Sequence, residues 1–547
     1  MGINAKEHSF LISSDSLESV KSRMIGFMIC EDGSFFVNEF PSGHSRTGCF
    51  VLIERDGDKI RISQDFCGSF GLFLYQDEQG FLLSNSFFTL AEKIPEKLSL
   101  NKDYMHSFLY AREAPLSLSG TLANEILRLT SEISVEITIS SKSLSFRKEK
   151  TDFFKRKLAS KEDFDVLDSW YFKWTRFYRA LAENCYPLLA DLSGGLDTRI
   201  ILSMLINARL DLNSCVSMRS HMAVNITKDA EDMRISKIIA DSLHFNLNSQ
   251  SVKIERKGNI VPEEAFALMR QFPMEQTFYC KMSEIRYHTP IFAAKGLGSI
   301  IKGSVGLSGQ DWSGMEEALS EYDSVSDKLT DKLASLSESE RESFKAFSHE
   351  QTRRYARDIV SEMQLDDHHT ATYFYKKALI EGRDAKKILC SFFYNQFVAS
   401  PFMDPLITEF DYNPYGDDRL YLPTLILSRY APQLLEFEVE HRSFSKHTLE
   451  RAEKFNNEYP VSLPKFEKLD EKAPAVVFSD ECTDDDGTDL FKDLLASKDF
   501  SDTLDPLVGT ELRMAICDEF TPEMHHKRPY RPFALIALYE FLKLIRK

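Results

Sequence analysis

Seven consecutive residues, Ser193-Gly194-Gly195-Leu196-Asp197-Thr198-Arg199, carry the most legible chemistry in this chain. The apolar run Pro187-Leu188-Leu189-Ala190-Asp191-Leu192 before them reads as a short buried strand. Ile200-Ile201-Leu202-Ser203-Met204-Leu205-Ile206 after them reads as the opening of a buried helix. A strand, a Gly-Gly turn and a helix start predict an anion site. The first N–H groups of a helix have no partner inside it, and the macrodipole adds partial positive charge there. The two glycines let the backbone bend and let a phosphate approach it closely. Ser193 and Thr198 add hydroxyl donors. Asp197 would repel a bare phosphate, so its presence calls for a cation such as Mg2+, which takes carboxylate and phosphate oxygens together. The run is not a Walker A loop, because no Gly-Lys-Ser/Thr follows.

The elements that must position this loop change character along the chain. The first 150 residues are strand-rich. Residues 25–30, 34–37, 49–53, 59–63, 72–75, 81–84, 133–139 and 143–146 are short apolar or alternating runs, separated by turns such as Glu31-Asp32-Gly33 and Arg55-Asp56-Gly57-Asp58. That pattern predicts antiparallel hairpins. From about 160 onward the pattern is α/β: a long aromatic-rich helix over 162–185, the loop and its helix, a strand at 214–218, a helix over 228–243, and further strands at 251–254 and 299–302. Alternating strands and helices predict a parallel sheet that binds ligands at the carboxyl ends of its strands. Residues 313–365 read as a charged helical hairpin, 479–506 as an acidic loop, and 532–545 as an apolar helix.

Bulk composition narrows the function classes. The chain has 547 residues, 43% of them apolar and 12% aromatic, enough for packed cores in more than one domain. A net charge of −17 argues against nucleic acid as a partner, since phosphate backbones call for basic surfaces. Nine scattered cysteines without a Cys-x-x-Cys pair predict neither disulfides nor structural zinc and fit a reducing, cytoplasmic setting. The pairs His368-His369 and His525-His526 have no further ligands at zinc spacing. The start MGINAKEHSF has no apolar signal-peptide core, and Lys6 spoils a myristoylation pattern. No apolar run predicts membrane insertion.

Ser193 to Thr198 resembles the SGGxDS pyrophosphate loop of ATP pyrophosphatases, and other segments resemble the asparagine synthetase family in the same order. Asp65, Gly68 and Leu72 match its "RDxxGxxPLYY" hairpin, and Leu82-Leu83-Ser84-Asn85 its "FASE" strand. Residues 121–129 match its "TLFxGIxxL", and Pro401-Phe402-Met403-Asp404 its "PFLD". The resemblance implies an α/β protein: an N-terminal antiparallel, β-rich Ntn-hydrolase-like domain over 1–155, of degenerate glutamine amidotransferase type, and a C-terminal parallel-sheet PP-loop ATP pyrophosphatase domain over 156–547. It implies ATP and Mg2+ as cofactors and activation of a small-molecule, glycan-precursor or peptide carboxylate substrate as an acyl-adenylate, followed by attack of an amine. The family's glutaminase nucleophile is a cysteine at the mature N-terminus. Here residue 2 is Gly2 and the first cysteine is Cys30, inside a predicted strand. The thiol and its activating α-amine must belong to one residue, so the nitrogen donor is expected to be an amine or ammonia rather than glutamine, as in β-lactam synthetases and lasso-peptide cyclases.

The resemblance also implies the site residues. Leu192, Ser193, Gly194, Gly195, Asp197 and Thr198 hold the nucleotide, with Asp197 the metal ligand. Val216, Ser217 and Met218 end the second strand near adenine. The family's "SGEGADE" follows a strand. Here Ser299-Ile300-Ile301 leads into Lys302-Gly303-Ser304, placing Gly303 at the nucleotide and Ser304 and Leu307 where the family has Glu and Asp. A slipped register offers Gln310 and Ser313, so neither supplies a carboxylate, and Asp311 is the nearest one. The family's late lysines map to Lys446, in a "KxxLRxA"-like helix, and Lys468, near its "RxK". The rival expectation is a catalytically degenerate nucleotide-binding or scaffold protein.

Overall fold

The computed structural model describes residues 8–102, 104–105, 109, 119–149, 153–220, 230–248, 256–259, 285–287, 290–296, 314–331, 337–360, 369–374, 385–393, 395–415, 418, 420–439, 443–470, 488–518 and 530–546. The fold is mixed α/β, with antiparallel sheets formed by the first 150 residues and a parallel sheet formed later.

The antiparallel strands are β1 (Leu11–Ser13), β2 (Arg23–Ile29), β3 (Phe35–Val37), β4 (Thr47–Asp56), β5 (Lys59–Gln64), β6 (Leu72–Asp77), β7 (Gly80–Ser84), β8 (Ile126–Leu129), β9 (Ile133–Thr138) and β10 (Ser143–Lys148). One sheet runs β10-β9-β5-β4-β2-β3 and the other β1-β7-β6-β8. Strict alternation in β5 explains its place: Ile60 and Ile62 are fully buried, while Lys59, Arg61 and Ser63 are not. Between β5 and β6, Asp65 is fully buried and accepts hydrogen bonds from the N–H groups of Phe50, Cys67 and Ser69 and from the Ser69 hydroxyl. Burial outweighs these donors and pushes its carboxyl up to about 6.

The parallel sheet has the order β12-β11-β15-β16: β11 (Leu188–Asp191), β12 (Val216–Arg219), β15 (Ile291–Ala294) and β16 (Gln396–Ala399). A separate two-stranded pair, β13 (Arg256–Asn259) with β14 (Ile285–Tyr287), precedes β15. The strand beside β11 is therefore 291–294. The expected strands at 251–254 and 299–302 lie outside the described residues. The main helices are α1 (Lys161–Glu183), α2 (Leu196–Asn207), α3 (Ala230–Leu243), α4 (Met315–Thr330), α5 (Glu338–Val360), α6 (Ala385–Phe393), α7 (Tyr421–Tyr430), α8 (Lys446–Glu458), α9 (Thr488–Ala496), α10 (Lys498–Val508), α11 (Thr510–Cys517) and α12 (Tyr530–Ile545).

Within the charged stretch 313–365, the described residues form two packed helices, as expected. α4 and α5 are tied by Arg353–Asp323 at 2.7 Å and His349–Asp327 at 2.9 Å. The expected acidic loop is overturned where it is described: 488–496 and 498–508 are helices. Phe500 and Leu504, four residues apart, are fully buried, and Phe500 packs on Tyr539 of α12 with ring centroids 5.0 Å apart. Acidic composition concealed that apolar face. No helix among the described residues is long and apolar enough to cross a membrane.

α1 joins the two kinds of sheet. Ser160 caps it by accepting from Asp163 N–H. Trp170 donates to the Pro401 carbonyl and Trp174 to Asp404. Gly33, at φ +86°, lets the β2–β3 turn lie directly on this helix: a Cβ there would fall 2.8 Å from the Lys173 carbonyl oxygen. Lys173 and Asp404 are both 0% exposed, with Nζ 3.1 Å from the carboxylate, and the same Nζ reaches Glu31 at 2.9 Å and the Thr47 hydroxyl at 2.8 Å. Burial pulls the Lys173 ammonium down, but the two carboxylates more than offset this and hold it above its ordinary value.

Removing one member of a buried pair strands the other charge. Lys173→Met should therefore lower unfolding stability by about 3–5 kcal/mol, read by urea denaturation; a loss under about 1 kcal/mol would show that the pair behaves like a surface contact. The raised Asp65 carboxyl acts in the opposite sense. Its folded form prefers the proton, so stability is greatest below the unfolded value near 4 and falls as pH rises through about 6. Relative to Asp65→Asn, the wild-type chain should lose on the order of 2–3 kcal/mol between pH 4 and 7.

Candidate functional site

The loop leaves the carboxyl end of β11, a central strand. Leu192 extends the pairing: its N–H donates to the Arg219 carbonyl at 2.6 Å, and its carbonyl accepts from the Ser236 hydroxyl of α3 at 3.1 Å. Ser193 N–H donates to Thr198 Oγ1 at 3.0 Å, the two hydroxyls stand 3.1 Å apart, and Gly195 N–H donates to Ser193 Oγ at 3.1 Å. Gly195 is the N-cap of α2 at φ −76° and ψ 160°, and no side chain caps that helix. A helix of 12 residues thus presents its positive end at the loop without a side-chain acceptor of its own.

Three residues without an assigned role in the sequence complete the site. Arg199 is 0% exposed, yet among the described residues its guanidinium meets only carbonyls: those of Leu434 and Phe437 through Nη1, and those of Gly194 and Glu438 through Nη2. Its Nε has no hydrogen-bond partner among the described residues. Burial pulls its pKa down to about 10. Asp232 on α3 accepts from Gly194 N–H at 2.7 Å. Gly296, just past β15, packs on Asp197 so closely that a Cβ there would fall 2.3 Å from Asp197 Oδ2. Only glycine fits while Asp197 keeps this position. Arg199 stood inside the heptapeptide, but its burial was invisible there. Asp232 and Ser236 carried one usable signal: polar residues four apart on the helix that follows the second strand.

The remaining expected residues divide. Ser193, Gly194, Gly195, Asp197 and Thr198 converge, with Leu192 at their base. Met218 pairs with Ala190 and Val216 with Leu188; both are core residues, and Val216 lies at the end of its strand away from the loop. Arg219 and Ser220 occupy the loop end instead, and the buried Ser220 hydroxyl has no partner among the described residues. Gly303, with Lys302, Ser304, Leu307, Gln310, Asp311 and Ser313, lies outside the described residues. The structure does not bring Lys468 to the loop. Leu469 is bonded to Arg209 and Asp211, beyond the far end of α2, which is about 18 Å long. Lys468 itself is 68% exposed and paired with Asp470 at 2.6 Å. Lys446 opens α8, is 91% exposed and lies 3.7 Å from Glu450; no described bond joins it to the loop.

These groups suit a magnesium polyphosphate. α2 offers first-turn N–H groups, Ser193 and Thr198 offer hydroxyls, Arg199 is a buried cation bonded to carbonyl oxygens, and Asp197 is a carboxylate seated against Gly296. Among the described residues no group of three or more His, Cys, Asp or Glu could hold a metal by itself. A single carboxylate such as Asp197 could hold Mg2+ only if phosphate oxygens and water completed its shell, a usual arrangement for that ion. Neither a protein-family model nor a curated protein matches the chain, so the reading rests on this geometry. Gly296→Ala must displace the Asp197 carboxylate and should weaken Mg·ATP binding by about tenfold, while Lys468→Ala should leave it within about twofold. Calorimetric titration of the two variants checks both.

Proposed function

We propose that Ser193 to Thr198 binds Mg·ATP by its polyphosphate and that the chain is an ATP-dependent amide-forming ligase of the asparagine synthetase type. The observation that carries this reading is the uncapped start of α2 at the carboxyl end of β11, with Asp197 seated against Gly296 beside it. In this reading residues 1–155 are an Ntn-hydrolase-like domain and 156–547 a PP-loop ATP pyrophosphatase domain.

A substrate carboxylate attacks the α-phosphorus, the bond to the bridging oxygen breaks, and pyrophosphate leaves. An amine or ammonia then attacks the acyl carbon, AMP departs, and the amine's proton goes to solvent or a base. The α2 N–H groups and the Ser193 and Thr198 hydroxyls stabilise charge that builds on the leaving pyrophosphate. Mg2+, when bound, neutralises part of the same charge, and Asp197 holds it. Arg199 keeps Gly194 in place beneath the loop. Lys446 is retained as a candidate cation at the start of α8, which follows the segment bound to Arg199. Glutamine is not the nitrogen source in this reading: Cys30, Cys49 and Cys67 are all buried, and burial pushes the Cys30 thiol above its ordinary value.

Among the described residues no group of three or more His, Cys, Asp or Glu could hold a metal, and this favours one rival, a nucleotide-binding scaffold without turnover. Isotope exchange between pyrophosphate and ATP, with candidate carboxylates supplied, separates the two. The ligase exchanges label, and Asp197→Ala lowers the rate by about 100-fold or more. ATP binding without exchange or AMP for any carboxylate supports the scaffold, and exchange unchanged in Asp197→Ala removes the role given to that residue.

A further inference from the structure

Gly194 is gripped at both ends of its backbone. Its N–H donates to the Asp232 carboxylate at 2.7 Å, and its carbonyl accepts from Arg199 Nη2 at 3.3 Å. The grip closes into a ring. Arg199 also donates to the Glu438 carbonyl at 2.6 Å, the Glu438 side chain pairs with Arg234, and Arg234 lies two residues from Asp232 on α3. A second bond, Ser236 Oγ to the Leu192 carbonyl, docks the same helix on the loop independently of Asp232.

The charges in this ring are unevenly placed. Arg199 is fully buried, has no carboxylate partner among the described residues and leaves Nε unpartnered. A buried cation without a counterion is costly, so its surroundings favour an anion across the loop. The anion bonded there is Asp232, on the loop residue that Arg199 holds from the other side. We propose that the Asp232 carboxylate is the resident anion of the loop and that the nucleotide's phosphate displaces it from the Gly194 N–H.

This inference rests on the reading that the loop binds nucleotide phosphates. It adds the residue that sets which anions are admitted. A carboxylate and a phosphate cannot share one N–H without strong repulsion. The exchange keeps the hydrogen bond, passing Gly194 N–H from a carboxylate oxygen to a phosphate oxygen. An entering ligand must out-compete a tethered carboxylate, which favours multiply charged di- and triphosphates over a monophosphate. Ser236 keeps α3 docked once Asp232 has let go, so the displacement needs a side-chain rotation and no movement of the helix.

Asp232→Asn tests the exchange, because it keeps the size and the acceptor oxygen while removing the charge. Pyrophosphate and ATP are titrated into full-length wild-type and variant protein by calorimetry, with adenosine as the uncharged control and circular dichroism as the check on folding. The expected result is that the variant binds pyrophosphate about tenfold tighter, binds adenosine unchanged, and gains a larger rise in melting temperature from pyrophosphate than the wild type does. Pyrophosphate binding that is equal or weaker in the folded variant overturns the exchange, and the weaker result makes Asp232 a positioning residue of the loop. If neither folded protein binds pyrophosphate or ATP, the nucleotide-site reading itself fails, and the exchange fails with it.

Discussion

The contact between Lys173 and Asp404 is the constraint on which the arrangement of both halves depends. Asp404 serves three partners from a fully buried position: the Lys173 ammonium, the Trp174 indole N–H, and the Leu406 N–H at the start of the short helix Pro405–Thr408. Lys173 carries the link across to Glu31 and Thr47 on the antiparallel side. Burying two charges is unfavourable unless each is fully partnered, so this junction tolerates only a narrow geometry. Aromatic packing completes it. Phe27 and Phe35, on strands β2 and β3, meet Phe292 and Phe397 of the parallel sheet at centroid distances of 5.2–6.3 Å, and the last two pack on each other at 5.1 Å. β15 and β16 are thereby fixed by the antiparallel sheet, and the end of β15 presents Gly296 to Asp197.

The site uses charge in the same economical way. The first helical turn after β11 supplies donors, and Arg199 anchors the loop from below while tying it to residues 434–438. Nothing in this arrangement needs a rare backbone conformation at the loop. What it needs is a buried cation on one side and room for an anion on the other. Among the described residues Arg199 meets four carbonyl oxygens but no carboxylate, and this imbalance distinguishes the loop from an ordinary strand-to-helix turn. Strained charge of this kind tends to persist where function requires it.

The sequence disclosed the elements whose patterns repeat with a clear period. β5 alternates, the heptapeptide has fixed spacing, and α1 carries an apolar face over six turns, so each was readable. Elements buried on every side were harder. Ile291-Phe292-Ala293-Ala294 is only four residues, uniformly buried and half alanine, and offers no period to detect. The more β-branched run at 299–302 drew a strand assignment of its own, and it lies outside the described residues. In the acidic tail, net charge hid Phe500 and Leu504, whose spacing marks a helix. At the site, the loop residues were legible because their chemistry is local. Arg199, Asp232 and Gly296 were not, because their roles arise from contacts across 5 to 239 residues of sequence. Lys468 illustrates the converse: motif order suggested a catalytic lysine, and packing put it at the opposite end of α2.

The most direct measurement is a crystal structure of the full chain with Mg2+ and an ATP analogue that cannot be cleaved between the α- and β-phosphates. The account predicts the β- and γ-phosphates against the first-turn N–H groups of α2, within hydrogen-bond reach of Ser193 and Thr198, and a Mg2+ ion ligated by Asp197. An analogue bound elsewhere, or phosphates at this loop with the metal on other carboxylates, would contradict it.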